Sequence, residues 1–259
     1  MDLKTLLIDL GNTALKWALL GDERTPQTVV HRDNAAFKDK LYAQWLELSP
    51  DRVLGCTVAA PELAFSATKF FNDNDIRWHW IRSQAAFESP GLTLRSAYEN
   101  PAQLGADRWC AALGAIDATP GESLLVVQMG TATTVDAVRH MGGSEYVFLG
   151  GRIAPGPTLM KQSLEAIPAL RGDPAEWEAF PRSTRAAVTT GILDAQAGLV
   201  REAYEALLKE AGRVRVVLAG GAARFVEPRL REQLPDVVLQ HNLVLLGLAA
   251  QARHQLFKE

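Results

Sequence analysis

The sequence is poor in cysteine, has no excess of basic charge and contains no long apolar run. Its two cysteines, Cys56 and Cys110, both lie among apolar residues, which is typical of buried, reduced thiols rather than of a disulfide. The formal net charge of −3 provides no basic field for nucleic acid. No stretch reaches the roughly 18–20 apolar residues that cross a membrane, and the first residues do not resemble a signal peptide. We therefore expect a cytoplasmic protein with neither a nucleic-acid nor a membrane partner.

The five histidines are scattered without the spacing of metal ligands, so no zinc site is predicted. We interpret all of them as ordinary surface or core residues. The chain is otherwise typical of a globular protein, with 47% hydrophobic and 22% charged residues. Its 259 residues exceed most single cores and suit two domains of about 100–150 residues each.

A strand–turn–strand pattern occurs twice in the chain. Residues 6–19 read LLIDLGNTALKWAL and residues 125–138 read LVVQMGTATTVDAV, each with a glycine turn between two apolar runs. Both strand–turn–strand patterns are followed by segments whose apolar residues have helical spacing. We expect an α/β fold with two similar domains, residues 1–118 and 119–259, although a chance echo of a common hairpin would give the same pattern. Residues 88–98 lack periodicity and are predicted to form a loop.

The first turn, DLGNT, has the residues of a phosphate-binding turn. Gly11 permits a positive φ and a close backbone approach, while Asn12 and Thr13 add donors and Lys16 can neutralise phosphate. Asp9 would repel bare phosphate, so its presence makes sense with a magnesium ion between them. An ordinary hairpin turn is the alternative interpretation.

Three further stretches can carry chemistry. Residues 130–134 (GTATT) offer a second turn rich in hydroxyls, and a threonine-rich hairpin is the alternative. Residues 219–223 (AGGAA) end a strand where a flat ring such as adenine can approach the backbone, or where a helix and a strand pack closely. Asp107 and Arg108 are adjacent on a predicted helix; they can serve as a base and a carboxylate-binding group, or form an exposed charged pair.

Together these stretches resemble the type III pantothenate kinases, which belong to the superfamily of actin, the heat-shock ATPase chaperones and the sugar kinases. The matching segments occur in the family's order: DLGNTALKW (residues 9–17), GADRW (105–109), GTATTVD (130–136), GGRIAPG (150–156), STRAAVTTGI (183–192) and AGGAA (219–223). The GADR element is the most specific of them.

The resemblance implies a fold, a reaction and a set of site residues. The fold is a pair of ribonuclease H-like domains, the actin-like ATPase duplication, with a nucleotide cleft between them. The reaction is the ATP-dependent phosphorylation of pantothenate, the first step of coenzyme A synthesis, with Asp107 as the general base. The implied ATP contacts are Asp9 (near Mg²⁺), Leu10, Gly11, Asn12, Thr13, Ala14, Leu15, Lys16 and Thr131. The implied pantothenate contacts are Tyr98, Gly105, Ala106, Asp107, Arg108 and Thr184. A homodimer with the substrate pocket near its interface is also implied.

One position departs from the family pattern. The second turn usually carries an aspartate that binds a monovalent cation such as K⁺ or NH₄⁺, whereas this chain has Gln128. A glutamine offers a carbonyl oxygen without charge, so we expect weakened or absent dependence on such a cation. Two other functions remain open at this point: a regulatory protein of the same fold acting on transcription, and another phosphotransferase or phosphatase of the superfamily.

Overall fold

The computed structural model describes residues 3–31 and 36–254, which form an α/β fold with two mixed β-sheets. The strands are β1 (Thr5–Leu10), β2 (Ala14–Leu19), β3 (Gln27–Val30), β4 (Arg52–Thr57), β5 (Arg77–Ile81), β6 (Ala86–Ser89), β7 (Leu92–Ser96), β8 (Leu124–Met129), β9 (Ala132–Gly142), β10 (Glu145–Pro155), β11 (Arg215–Ala219) and β12 (Val237–Leu239). The helices are α1 (Phe37–Leu48), α2 (Pro61–Asp73), α3 (Ala106–Ala118), α4 (Pro157–Leu164), α5 (Thr184–Ala211), α6 (Ala223–Gln233) and α7 (Leu243–His254). None of the helices in these two ranges is long and apolar enough to cross a membrane.

The chain divides into two compact units. The first contains the chain up to Pro120, the short segment Gly143–Glu145 and the chain from Asn242 onward; the second contains the remainder. The division near Pro120 lies close to the expected boundary, but α7 belongs to the first unit rather than the second. The reason is its close packing on α3, where Gly114 and Gly247 leave no room for a side chain between the two helix backbones.

The first unit is built on the sheet β3-β2-β1-β4-β5. Alternate residues of β1, among them Leu6 and Ile8, are fully buried in a cluster with Trp45 of α1 and Phe71 of α2. Successive strand side chains point to opposite faces, so Asp9 lies on the other face, where α7 contacts β1 and α3 contacts β4. The sheet thereby directs one carboxylate of β1 toward the layer of α3 and α7.

The second unit repeats this plan. Its strands run in the order β12-β11-β8-β9-β10, and the long helix α5 and α6 cover a buried core that includes Val127, Val216 and Val226. The β8–β9 hairpin is followed in space by the parallel strand β11, as the β1–β2 hairpin is by β4. The echo in the sequence therefore corresponds to a repeated arrangement of strands.

The loop expected at residues 88–98 is wrong, because this part of the chain belongs to the antiparallel hairpin of β6 and β7. Phe87 pairs with Leu94, and both are buried. Residues 92–95 (LTLR) do alternate apolar and polar side chains, but β6 and β7 are only four and five residues long, so the strand signal is short.

Candidate functional site

The first turn closes by backbone contact rather than by a positive φ. The Gly11 N–H donates to the Ala14 carbonyl at 3.1 Å, and a Cβ on Gly11 would lie only 3.1 Å from that same oxygen. Gly11 does not adopt a positive φ, so the expected positive φ is wrong and the close approach is what calls for glycine. Leu10 and Leu15 are buried, and they can therefore offer a ligand only their backbone.

A residue that the sequence did not single out also contacts this turn. The ring of His31 places Nε2 2.8 Å from the Gly11 carbonyl, and the His31 backbone N–H donates to the Thr13 carbonyl at 3.1 Å. His31 follows β3 and is only 8% exposed. The 20 residues that separate His31 from Gly11 leave no local pattern that could have revealed the contact.

Asp9 is the acidic residue of the first turn, and the pKa of its carboxyl is raised. Desolvation by the surrounding protein raises its pKa to about 7; the Lys16 ammonium lowers this pKa and the Asp107 carboxylate raises it. Asp9 and Lys16 face each other across the β1–β2 hairpin. The Lys16 Nζ also donates to Asn242 Oδ1, just before α7, at 3.5 Å. The first unit thus brings Asp9, Lys16 and Asp107 close enough to interact electrostatically.

Asp107 lies in the first turn of α3, where its carboxylate folds back over the helix start. Asp107 Oδ1 accepts a 2.8 Å hydrogen bond from the Arg108 backbone N–H, and it lies 2.6 Å from the position of a Cβ on Gly105. A side chain at position 105 would therefore push the Asp107 carboxylate out of this position. Desolvation raises the pKa of Asp107, partly offset by the Arg108 N–H and guanidinium. The Asp107 carboxylate is therefore more basic than an exposed aspartate, although it lies at the N-terminus of a helix.

Arg108 and Tyr98 form a hydrogen-bonded pair of side chains in the first unit. The Arg108 side chain is 5% exposed, and its Nη1 donates to the Tyr98 hydroxyl at 2.8 Å. The segment before α3 is tied down by Ser83, whose hydroxyl bonds the carbonyls of Pro101 and Leu104. The guanidinium is consequently held in one orientation, which suits the recognition of a carboxylate.

The second turn is held mainly by backbone contacts. The Gly156 N–H donates to the Thr131 carbonyl at 2.9 Å, and a Cβ on Gly156 would collide with the Gly130 carbonyl. The buried Gln196 of α5 accepts from Thr133 Oγ1 at 2.5 Å and donates to the Pro155 carbonyl at 2.9 Å. Thr131 itself is exposed at the tip of the turn.

The AGGAA turn leads into α6, and the first turn of this helix lines a cavity in the second unit. Gly220 has φ +98° and no space for a side chain, because a Cβ would collide with the Met129 backbone. The cavity has a volume of about 480 Å³, and its lining includes Trp177, Phe225 and Arg229. The Arg229 guanidinium lies 4.1 Å from the centre of the Trp177 ring. An adenine at this turn stays a prediction.

Thr184 is the first residue of α5, and it lines an apolar groove of about 540 Å³ in the second unit with Leu159 and Met160. The expected site residues are therefore divided. The first unit holds residues 9–16, Tyr98 and the segment 105–108, whereas Gln128, Thr131 and Thr184 lie in the second. Within the described ranges, no three His, Cys, Asp or Glu side chains group as a ready metal site.

Known proteins resemble the chain over almost its whole length. The family model for type III pantothenate kinase matches residues 5–206. A type III pantothenate kinase of Herminiimonas arsenicoxydans is 36% identical over 97% of this chain and 98% of its own. A solved structure from Campylobacter jejuni, named a Baf family transcriptional activator, has a TM-score of 0.55 at 20% identity, covering 96% of this chain and 98% of that one.

An archaeal actin homologue has a TM-score of 0.50 at 14% identity, over 96% of this chain and 99% of that one. These two structural likenesses concern the fold alone, and they agree with the expected actin-like ATPase architecture. The family match and the relative at 36% identity go further: the chain belongs to the type III pantothenate kinase family.

Proposed function

We propose that this protein transfers the γ-phosphoryl group of ATP to the hydroxyl of pantothenate, the first step of coenzyme A synthesis. The observation that carries the proposal is the placement of Asp107 at the start of α3, within electrostatic range of Asp9. Phosphoryl transfer needs little covalent participation by the protein. It needs correct positioning of the reactants, groups that neutralise the negative charge of the phosphates, and a carboxylate close to the nucleophilic hydroxyl. The first unit offers a group for each of these tasks.

Asp107 serves as the general base. As the pantothenate hydroxyl oxygen bonds to the γ-phosphorus, the bond from that phosphorus to the bridging oxygen of ADP breaks. The hydroxyl proton passes to the Asp107 carboxylate. A pKa raised by desolvation makes Asp107 a better proton acceptor than an exposed aspartate, since proton transfer is most effective when the base is poised near the working pH.

Arg108 binds the pantothenate carboxylate. Its guanidinium is buried and is oriented by the Tyr98 hydroxyl, so its fork of donors is fixed before substrate arrives. Gly105 and Ala106 complete the backbone of this segment, and Thr184 is proposed as a further substrate contact from the second unit.

Asp9 is the proposed holder of Mg²⁺, and Lys16 the proposed cation for the phosphates. A desolvated carboxylate with a second carboxylate nearby fits a hard divalent ion, which prefers oxygen ligands. When bound, the ion neutralises charge on the phosphates. The other residues of the first turn and Thr131 of the second supply polar contacts. We further propose that the two units correspond to the two actin-like ATPase domains, with α7 completing the first.

The test is a coupled assay of ADP release with and without pantothenate, run beside Asp107→Asn. We expect pantothenate-dependent release, reduced on the order of 10²–10⁴-fold in this variant. Asp117→Asn is the matched control because Asp117 lies at the other end of the same helix, exposed. It should retain the parent rate. The absence of pantothenate dependence in the parent protein would refute the proposal.

A purely regulatory protein of the same fold is not favoured, because the family match and the relative at 36% identity carry the name of a kinase. The likeness to a Baf family activator lies at 20% identity and concerns the fold. Another phosphotransferase or phosphatase of the superfamily finds no specific support here.

We also propose a cytoplasmic homodimer. Both cysteines are buried free thiols, as in proteins of reducing compartments. The second unit exposes several large apolar side chains, and such surfaces often mark an interface. They are Ile153, Leu159, Ile167 and Phe180. Size-exclusion chromatography with light scattering should give twice the mass of one chain, and the mass of a single chain would refute the dimer.

A further inference from the structure

We infer that His31 is a positioning residue for the first turn, holding the backbone in the orientation that presents its N–H groups to phosphate. The inference rests on the proposed role of this turn in binding ATP. Its basis is a pair of contacts from one residue: the ring to the Gly11 carbonyl and the backbone N–H to the Thr13 carbonyl.

The two contacts hold the carbonyls of Gly11 and Thr13, and with them the peptide planes Gly11–Asn12 and Thr13–Ala14. A carbonyl oxygen only accepts hydrogen bonds, so Nε2 of His31 carries the hydrogen and donates it to Gly11 at 2.8 Å. In a trans peptide unit the C=O and the following N–H point in opposite directions. Holding the Gly11 carbonyl toward His31 therefore turns the Asn12 N–H away from His31.

The surroundings of His31 make this contact dependable. The side chain is 8% exposed, and its ring lies 5.4 Å from the ring of Phe37, measured between centroids, at the start of α1. A donor held in a mostly buried place loses little entropy when it binds the carbonyl. The turn thus obtains support from β3 and α1 in addition to its own bond from the Gly11 N–H to the Ala14 carbonyl.

The test compares His31→Phe, which keeps a ring and removes the donor, with His31→Gln, which keeps a donor. Loss of one hydrogen bond corresponds to a change of about fivefold to tenfold in an equilibrium constant. We expect His31→Phe to raise the KM for ATP and the Kd for ADP by that factor, with the KM for pantothenate unchanged. His31→Gln should recover most of the affinity. His79→Phe is the control, since His79 is exposed on β5.

Each alternative outcome counts against the inference. An unchanged Kd for ADP in His31→Phe would overturn it, and so would a rise in both KM values together with a lower melting temperature, which indicates general damage. If His31→Phe does not fold, His31→Asn replaces it, because the shorter side chain cannot reach Gly11. Calorimetry of ADP binding needs no pantothenate, so failure of this role is distinguishable from failure of the kinase reaction.

Discussion

The two hairpin turns share a backbone plan and differ in the chemistry placed at the strand ends. In the first, Asp9 faces Lys16, and desolvation raises the pKa of Asp9 to about 7. In the second, the same position is Gln128, which faces Thr134. One turn therefore holds a charge that a cation can neutralise, whereas the other offers only neutral oxygens. The comparison indicates that one hairpin geometry accommodates either a charged or a neutral side chain at this position.

The two turns also differ in what holds them. The first is contacted by a side chain, His31, while the second is fixed by the backbone of Gly156 and by a bond from the Ala222 N–H to the Met129 carbonyl. The Gly156 contact depends on the absence of a side chain, because a Cβ there would collide with the Gly130 carbonyl, whereas the His31 ring contact depends on the presence of the imidazole. The two turns are consequently sensitive to opposite changes: the first to loss of the side chain at position 31, the second to gain of a side chain at position 156.

Among substitutions in the two turns, the largest effect should come from removing the charge of the first turn. Asp9→Asn should lower kcat/KM for ATP on the order of 10²-fold, because a lost metal ligand costs at least as much as a lost partner of such a ligand. Gln128→Asn, which places the same residue at the corresponding position of the second turn, should cost less than about fivefold, since it only shortens a neutral amide. Steady-state assays across a range of Mg²⁺ concentrations measure both. Equal losses in the two variants would contradict the contrast between the turns.

A second prediction concerns stability in the absence of metal. The pKa of Asp9 is about 7 in the folded protein against a reference value of 3.8, so the folded state holds this proton more tightly. The stabilising contribution of this bound proton is complete below pH 3.8 and is lost as the pH rises to about 7. Asp9→Asn should therefore raise the free energy of unfolding at pH 8 on the order of 2 kcal/mol, allowing for partial solvation of the carboxylate.

Urea unfolding in the presence of a chelator, at pH 5 and pH 8, tests this prediction. The gain of Asp9→Asn over the parent should be larger at pH 8. If the increase in the free energy of unfolding does not grow with pH, the ionised carboxylate of Asp9 does not destabilise the metal-free protein.

The smallest effect should come from restoring a charge to the second turn. Gln128→Asp should make activity respond to K⁺, with a stimulation of about threefold, because a carboxylate holds a hard cation better than an amide does. Thr134 Oγ1, opposite Gln128, has no hydrogen-bond partner among the described residues and can supply another oxygen. Assays in sodium, potassium and ammonium salts, with Gln128→Asn as control, measure the change. A strong potassium requirement in the parent would contradict the prediction.

Much of the fold followed from local patterns in the sequence. The two hairpins were visible because each contains a glycine turn between apolar runs, and such short-range signals need no knowledge of the rest of the chain. The hairpin of β6 and β7 was missed although residues 92–95 (LTLR) alternate apolar and polar side chains, because its strands are only four and five residues long. The position of α7 was missed for another reason: its partner α3 lies more than 100 residues earlier in the chain.

The sequence could single out a candidate site residue where a motif is compact, and the roles of these residues stay predictions. Gly105, Asp107 and Arg108 form one turn of chain, and the structure explains their order by the carboxylate folded over Gly105. His31 could not be found in this way and was interpreted as an ordinary residue. Its contact with Gly11 depends on the β2–β3 pairing, which brings the end of β3 to the first turn.

The return of α7 to the first unit bears on the order in which the chain can mature during synthesis. The first unit lacks the helix that packs on α3, β1 and β4 until the chain beyond Asn242 has been made. At about 5–20 residues per second, the intervening second unit takes roughly 10 s to translate. For that time the surface of α3 around Gly114 has no helix against it, and the nascent chain presents an incomplete core to chaperones.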